Sequence, residues 1–319
     1  MNLSRIGGVG LITRIPAVTW GLVVILAIYA AFSPRILDPV HLLDLSREAG
    51  PLIIVAFAQT IVMIAGGLDL SIGSVITLTD VIAAQSMMGD PNRAVPIALF
   101  CLLLGALTGL INGLLVSVFR IPPLITTLAT NSILLGIALV ISGGAPRGSI
   151  PQNMRFWGNG FIGPIPASTV VWVLLAIIIL AGIGLTTFGR RLFATGANER
   201  AAFGAGVETN RIRVYAYVLS GALSSVAGLI LAAYIGTGSL TLGTDYTLNS
   251  IAAAVLGGTA FEGGRGSLLG GVIGALFITV LAGMLTVLQM AYSGQLITQG
   301  IVIIVAVLLY EWKGRMRYS

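Results

Sequence analysis

The chain has 319 residues, of which 56% are apolar and only 9% charged, and its mean hydropathy is +1.01. A soluble domain carries roughly a quarter charged residues, so this composition cannot cover a wet surface. It indicates an all-α polytopic membrane protein. The formal net charge of +6 is read as basic loops on the cytoplasmic side, where Lys and Arg collect and set orientation, and not as a nucleic-acid site.

In chain order, the first apolar run is Ala17 to Ala31. Arg5 and Arg14 precede it, but no small-residue cleavage site follows in "AFSPRILDP", so the run is expected to be a retained span and not a signal peptide. Next, "RILDPVHLLDLSREAG" places Ile36, Val40, Leu43 and Leu45 at helical spacing, which predicts an amphipathic segment at the membrane interface. Nine further runs follow: 51–65, 71–88, 94–119, 121–142, 167–185, 214–235, 247–259, 268–289 and 295–311. A span needs about 20 apolar residues; several of these are shorter, and a layout of about ten spans is the expectation.

With the N-terminus in the cytoplasm, the inner side receives Arg5, Arg14, Arg120, Arg190, Arg191, Arg200, Arg211, Arg213, Arg265, Lys313, Arg315 and Arg317. The outer side receives Arg35, Arg47, Arg93, Arg147 and Arg155, so the bias agrees with both termini inside. His41 has no His or Cys neighbour and Cys101 lies mid-span, so neither a metal site nor a disulfide framework is expected.

Two places interrupt the apolar pattern in the same way. "IAGGLDLSIGSV" (Ile64 to Val75) and "VLGGTAFEGGRGSLL" (Val255 to Leu269) each end a run with Gly-Gly, pass an acidic residue and Gly-Ser, then resume. Paired broken spans in two halves of a chain mark the translocation region of many transporters; chance recurrence among 42 glycines is the plainer account. Gly66, Gly67, Gly257 and Gly258 are therefore the predicted helix breaks. Asp69 and Ser71 are expected to bond free N–H groups at the start of the next helix, with contact to a solute as the other reading for Asp69.

Polar residues inside apolar runs are the pathway candidates: Gln59, Asp80, Asn112, Thr127, Asn131 and Asn249, with Thr60 and Thr126 beside them. A carboxylate as deep as Asp80 tends to face water or a partner. The alternative for each is a hydrogen bond between helices. Small-residue spacings at Gly105–Gly109 and Gly270–Gly274 predict close helix packing.

The densest charge lies in "GRRLFATGANERAAFGAGVETNRIRVYAYVLSG", Gly189 to Gly221. Within it "NERAAFGAG" predicts a short helix, capped by Asn198, with Glu199 at its positive end and glycines 204 and 206 terminating it. Its small residues, Ala201 and Ala202, with Phe203, suit insertion into a groove on a partner; an ordinary basic loop is the alternative. A Walker loop needs Gly-Lys-Ser/Thr, and the only lysine is Lys313 in "EWKGRMRYS", so no such ATP site is expected on this chain. One Cys and one His offer no nucleophilic pair; an enzyme is not expected.

Four stretches in order resemble the ribose-type permease family of bacterial ABC importers: "VMIAGGLDLSIGSVITLTDVIAA", "GLINGLLVSVFRIPPLITTLAT", "GANERAAFGAGVETNRIRVYAYVLSGALSSVAG" and "GTDYTLNSIAAAVLGGTAFEGGRGSLLGGVIGAL". The resemblance implies one transmembrane permease domain over residues 1–319, with a coupling loop at about 187–213 and a cytoplasmic tail at 312–319. It implies the bacterial inner membrane, two ABC ATPase subunits that carry the ATP and magnesium, a periplasmic solute-binding protein, and a second permease copy or paralogue. No cofactor is expected on this chain. By motif match it places Asn198, Glu199, Arg200, Ala201, Ala202 and Gly206 at the ATPase contact. The implied cargo is a monosaccharide or related small polar solute. Permeases for nucleosides, flavins or amino acids share the architecture, and a stand-alone secondary transporter is the rival of a different class. Leu248-Asn249 stands where the family commonly has an acidic residue, and Asp80 where small residues are usual, which implies a pathway suited to a solute other than ribose.

Overall fold

The computed structural model describes residues 17–315 and is helical almost throughout. Its helices are α1 Ala17–Phe32, α2 Pro39–Ile64, α3 Ile72–Met87, α4 Ala94–Ser117, α5 Pro123–Ser142, α6 Gln152–Asn159, α7 Ala167–Leu185, α8 Thr187–Ala197, α9 Glu199–Gly204, α10 Thr209–Ile235, α11 Thr244–Leu256, α12 Leu268–Val287 and α13 Tyr292–Arg315. Between α6 and α7 a two-stranded antiparallel hairpin pairs β1 Phe161–Ile162 with β2 Ile165–Pro166. Arg5, Arg14 and Arg317, with residues 316–319 of the predicted tail, lie outside the described residues.

Each predicted apolar run falls on a helix. Among the described residues, six helices are long and apolar enough to cross a membrane: α2, α4 with the turn before it, α5, α7, α10 and α12; α1 and α3 are shorter apolar helices. With 13 residues, α11 extends about 20 Å at 1.5 Å per residue, short of a hydrocarbon core of ~30 Å. The short members α3 and α11 are the ones that adjoin the glycine breaks.

The expected interfacial segment does not exist as a separate element. Ile36 lies in a 3-10 turn, Pro34–Leu37, and from Pro39 on the segment is the first half of α2, which runs unbroken to Ile64. Asp38 starts the helix by accepting a hydrogen bond from Val40 N at 3.1 Å, with Pro39 in the first turn where its missing N–H does no harm. Pro51 inside α2 has a penalty of about 3 kcal/mol, but every residue from Ala49 to Ile64 is buried among α7, α10, α11 and α12. That burial outweighs the local propensity. The helix α6, in contrast, was not foreseen, because "QNMRFWGN" has no apolar run to announce it. It is pinned to the end of α10 by Asn159 Nδ2, which donates to Tyr234 O at 2.8 Å.

The bundle has a centre and a periphery. The most apolar stretch of α2 is 89% buried, against 22% for α4, α5 and α7. Leu103, Val140 and Leu185 remain exposed, a surface suited to hydrocarbon. Because lipid removes the hydrophobic drive between helices, contact depends on close packing. On α4, Gly105, Gly109 and Gly113 lie against Gly221, Tyr217 and Val214 of α10 with no room for a Cβ. Gly270 and Gly274 of α12 meet Gly257 and Ala253 next to and within α11 in the same manner.

Candidate functional site

The two glycine breaks close with the same hydrogen bonds. After α2, Ala65 N donates to Ile61 O (3.2 Å), Gly66 N to Met63 O (2.9 Å) and Gly67 N to Val62 O (2.9 Å). After α11, Gly257 N donates to Ala253 O (3.0 Å), Gly258 N to Val255 O (2.9 Å) and Thr259 N to Ala254 O (3.0 Å). Gly66 and Gly258 take φ of +80° and +91°, left-handed values that a side chain would strain. The breaks also touch each other. Gly264 N, from the second, donates to Ile64 O at the end of α2 (2.9 Å), and Gly196 of α8 packs on both atoms where a Cβ would collide.

Asp69 organises the first break. It is 1% exposed; its Oδ1 accepts from Ser71 N (2.9 Å) and Ser71 Oγ (2.6 Å), and its Oδ2 from Ser220 Oγ of α10 (2.7 Å). Three donors offset much of the cost of removing a carboxyl from water. Ser71 was expected to cap α3 with its side chain and does not. Its hydroxyl is taken by Asp69 and accepts from Asn112 Nδ2 of α4 (2.9 Å). The N–H of Gly73, in the first turn of α3, donates instead to Thr247 Oγ1 of α11 (3.1 Å). From Asn112 the network continues, since Thr130 Oγ1 of α5 donates to its Oδ1 (2.6 Å). Leu68 O accepts from Tyr217 OH (3.2 Å) and Thr127 Oγ1 (3.4 Å). Five helices thus meet on the residues 65–71.

Below the break lies the charged loop. Asn198 caps α9, its Oδ1 accepting from Ala201 N at 3.0 Å, as the sequence predicts; the helix ends at Gly204, and Gly206 follows at φ +82°. Ala202 is buried, whereas Arg200, Ala201 and Gly206 are exposed and Phe203 is 71% exposed. Glu199 is exposed but paired. Its Oε2 pairs with Arg213 Nη2 at 2.8 Å, and Arg213 Nε donates to Ala65 O, a carbonyl freed where α2 ends, at 3.2 Å. The Arg213 side chain is only 19% exposed. One guanidinium therefore joins α9 to the first helix break. The sequence reading counted Arg213 only as an inner-side charge; its position one residue before the apolar run of α10 was the available signal.

Residues 41–307 match the family described as branched-chain amino acid transport system / permease component. The chain belongs to this family. The ribose import permease of Bacillus subtilis (strain 168) is 38% identical over 293 residues, 91% of this chain and 90% of the relative. That of Escherichia coli (strain K12) is 35% identical over 292 residues, 90% of this chain and 91% of the relative. The autoinducer 2 import system permease of Yersinia pseudotuberculosis serotype O:1b (strain IP 31758) is 32% identical over 269 residues, 83% of this chain and 75% of the relative. No solved structure matches the chain with significance. As a permease it is a multi-pass membrane transport subunit and not an enzyme.

In this permease the polar pathway candidates fall at different places. Asn112 and Thr127 are buried in the network beside the first break. Asp80 lies further along α3, fully buried; its Oδ2 accepts from Ser239 N at 2.6 Å and its Oδ1 has no partner. Thr77 Oγ1 accepts from Gly243 N nearby (3.1 Å), so α3 holds the connection between α10 and α11. Gln59 is buried in the middle of α2 with neither Nε2 nor Oε1 partnered, and Thr60 Oγ1 is likewise alone. Asn131 and Asn249 are half-buried on α5 and α11.

Proposed function

We propose that the chain is the membrane-spanning subunit of an ATP-driven importer for a monosaccharide or chemically similar small polar solute. It forms the translocation pathway and is driven through the loop at about 187–213 by ATPase subunits beneath it, which carry the ATP and magnesium. A periplasmic solute-binding protein delivers the cargo, and a second permease, identical or paralogous, completes the pathway. The setting is the bacterial inner membrane with both termini in the cytoplasm. Relatives named for ribose and autoinducer 2 import favour a sugar-like cargo. The family description favours branched-chain amino acids as the second reading; the ribose import relatives cover more of the chain.

The observation that carries coupling is the Glu199–Arg213–Ala65 connection. The exposed face of α9, with Phe203, is the part that enters a groove on the ATPase. A push on α9 pulls on Arg213, whose planar fork holds a carboxylate and a backbone carbonyl at once. The strain then reaches the end of α2 and, through Asp69 and Ser220, α10. An exposed ion pair alone contributes about 1 kcal/mol or less, so the restraint lies in the second bond and in the partial burial of Arg213.

Two measurements test this reading. Purification of the tagged chain from its native membranes should bring a stoichiometric ATPase subunit with it; recovery alone even after cross-linking would favour a stand-alone transporter. Glu199→Arg, which sets two guanidinium groups against each other, should abolish solute uptake while membrane insertion stays normal. Normal uptake in that variant removes the coupling assignment.

A further inference from the structure

At the opposite end of α2 from the glycine break lies a cavity of about 210 Å³ that the break, the loop and the polar pathway candidates do not touch. From Arg47 to Ile64 the helix rises about 25 Å, so in the proposed orientation this cavity faces outward. Its polar wall is made by Arg47 and Glu48 of α2, Ser168 at the start of α7, Tyr234 at the end of α10 and Tyr246 of α11. We propose that it is a binding site for a small neutral polyhydroxylated molecule, an entry subsite for the imported solute. The proposal rests on the reading of the chain as an importer of a sugar-like solute.

The wall holds unanswered hydrogen-bonding groups of both kinds. Ser168 is 1% exposed and its Oγ has no partner; Arg47 Nε is buried and also has none. Buried polar atoms of this sort are normally paired, and these two belong to residues that line the cavity. Pro51, also on the wall, has no N–H to offer the Arg47 carbonyl four residues back. The Glu48 carboxyl and the two phenols supply further acceptors and donors.

These groups are held in place rather than mobile. Arg47 Nη2 pairs with Asp44 Oδ1 at 3.2 Å, and its guanidinium lies over the Tyr234 ring at 5.6 Å. Its Nε makes no hydrogen bond. Tyr234 is fixed by α6, whose Gly158 lines the cavity and packs on the backbone of residues 233–234, with Asn159 bonded to both of their carbonyls. The start of α7 is fixed to α2 by Ser46 Oγ against Thr169 Oγ1 (3.2 Å) and by Trp172 Nε1, which donates to Ser46 O (3.2 Å).

The chemistry selects the ligand class. A site with the Arg47 cation and the Glu48 carboxylate side by side offers no net attraction to an ion, whereas a ring or chain of hydroxyls can donate to one and accept from the other. Aromatic faces suit the C–H faces of a sugar and present a polar tip for its hydroxyls. A cavity of about 210 Å³ is large enough for a solute of monosaccharide size. Tyr234 and Glu48 are exposed, so the cavity has a mouth at the surface.

The test is equilibrium binding of radiolabelled D-ribose, D-glucose and myo-inositol to the purified chain in lipid nanodiscs. Saturable binding of at least one is expected, weakened about tenfold or more by Ser168→Leu, which fills the cavity, and several-fold by Ser168→Ala and Tyr246→Phe, which keep its shape. The two milder variants keep the test decisive should Ser168→Leu fail to fold. Absence of saturable binding of all three overturns the proposal, as does binding that none of the variants weakens. Displacement of the bound label by glycerol 3-phosphate at lower concentration than by any of the unlabelled sugars would make it a lipid headgroup site and overturn it too. Failure here with an ATPase subunit co-purifying and uptake intact removes only the subsite. Sugar binding by a chain that purifies alone removes only the importer reading.

Discussion

The two glycine breaks are built on one turn and put to different uses. Both close with the same three backbone bonds and a left-handed glycine. Beyond that point they diverge. Residues 65–71 return at once into α3, and the acidic residue between the helices, Asp69, is buried with three donors on it. Residues 257–267 make a longer excursion, and their acidic residue, Glu262, is 73% exposed and meets Arg265 at 4.0 Å across open solvent. In sequence the two carboxylates occupy matching places. In the fold one ties helices together and the other lies on the surface. A repeated backbone turn therefore does not carry a repeated side-chain role, because the role depends on what packs against the turn.

The comparison can be broken most directly at those two carboxylates. Asp69→Ala strands the Ser71 amide and the Ser71 and Ser220 hydroxyls, and each unpaired buried group costs about 1–3 kcal/mol. A loss on the order of 3 kcal/mol or more is expected in unfolding of the detergent-solubilised protein, against about 0.5 kcal/mol or less for Glu262→Ala. Equal losses in the two variants would end the distinction. Next in size is Gly66→Ala. No atom lies within 4 Å of the added Cβ, so the effect is backbone strain alone, about 1–2 kcal/mol. A neutral result would mean that the turn is not held in the left-handed form. Third comes the cap supplied from afar. Thr247→Val removes the acceptor for Gly73 N and should destabilise by about 0.5–2 kcal/mol. Ser71→Ala, in comparison, removes no side-chain cap from α3, and its cost is that of the Asp69 and Asn112 bonds.

Some of this was legible beforehand. Asn198 sits one residue ahead of a short helix, and a cap of that kind needs only the three residues that follow it. Gly66 and Gly258 stand where apolar runs stop, and a left-handed turn is the ordinary use of glycine there. Other features had no such local signal. The continuity of α2 through Pro51 came from burial by four other helices. The eight-residue α6 is polar and is stabilised by carbonyls of residues 233 and 234. Arg213 read as one basic residue among many until the fold brought Glu199 and Ala65 to it.

By itself the sequence determined the solvent of this protein, the places of its apolar helices and the points where they break. Those properties are sums over neighbours: hydropathy along a run, spacing on one helix face, glycine at a turn. What only the tertiary structure decided is the partner of each polar group. Gly73 is capped from residue 247, Asp69 is served from residue 220, and Arg213 reaches residues 199 and 65. In a membrane interior a freed backbone or buried side-chain group must find its partner within the protein. The partner is whichever helix packs alongside, and that choice is made by three-dimensional contact and not by distance along the chain.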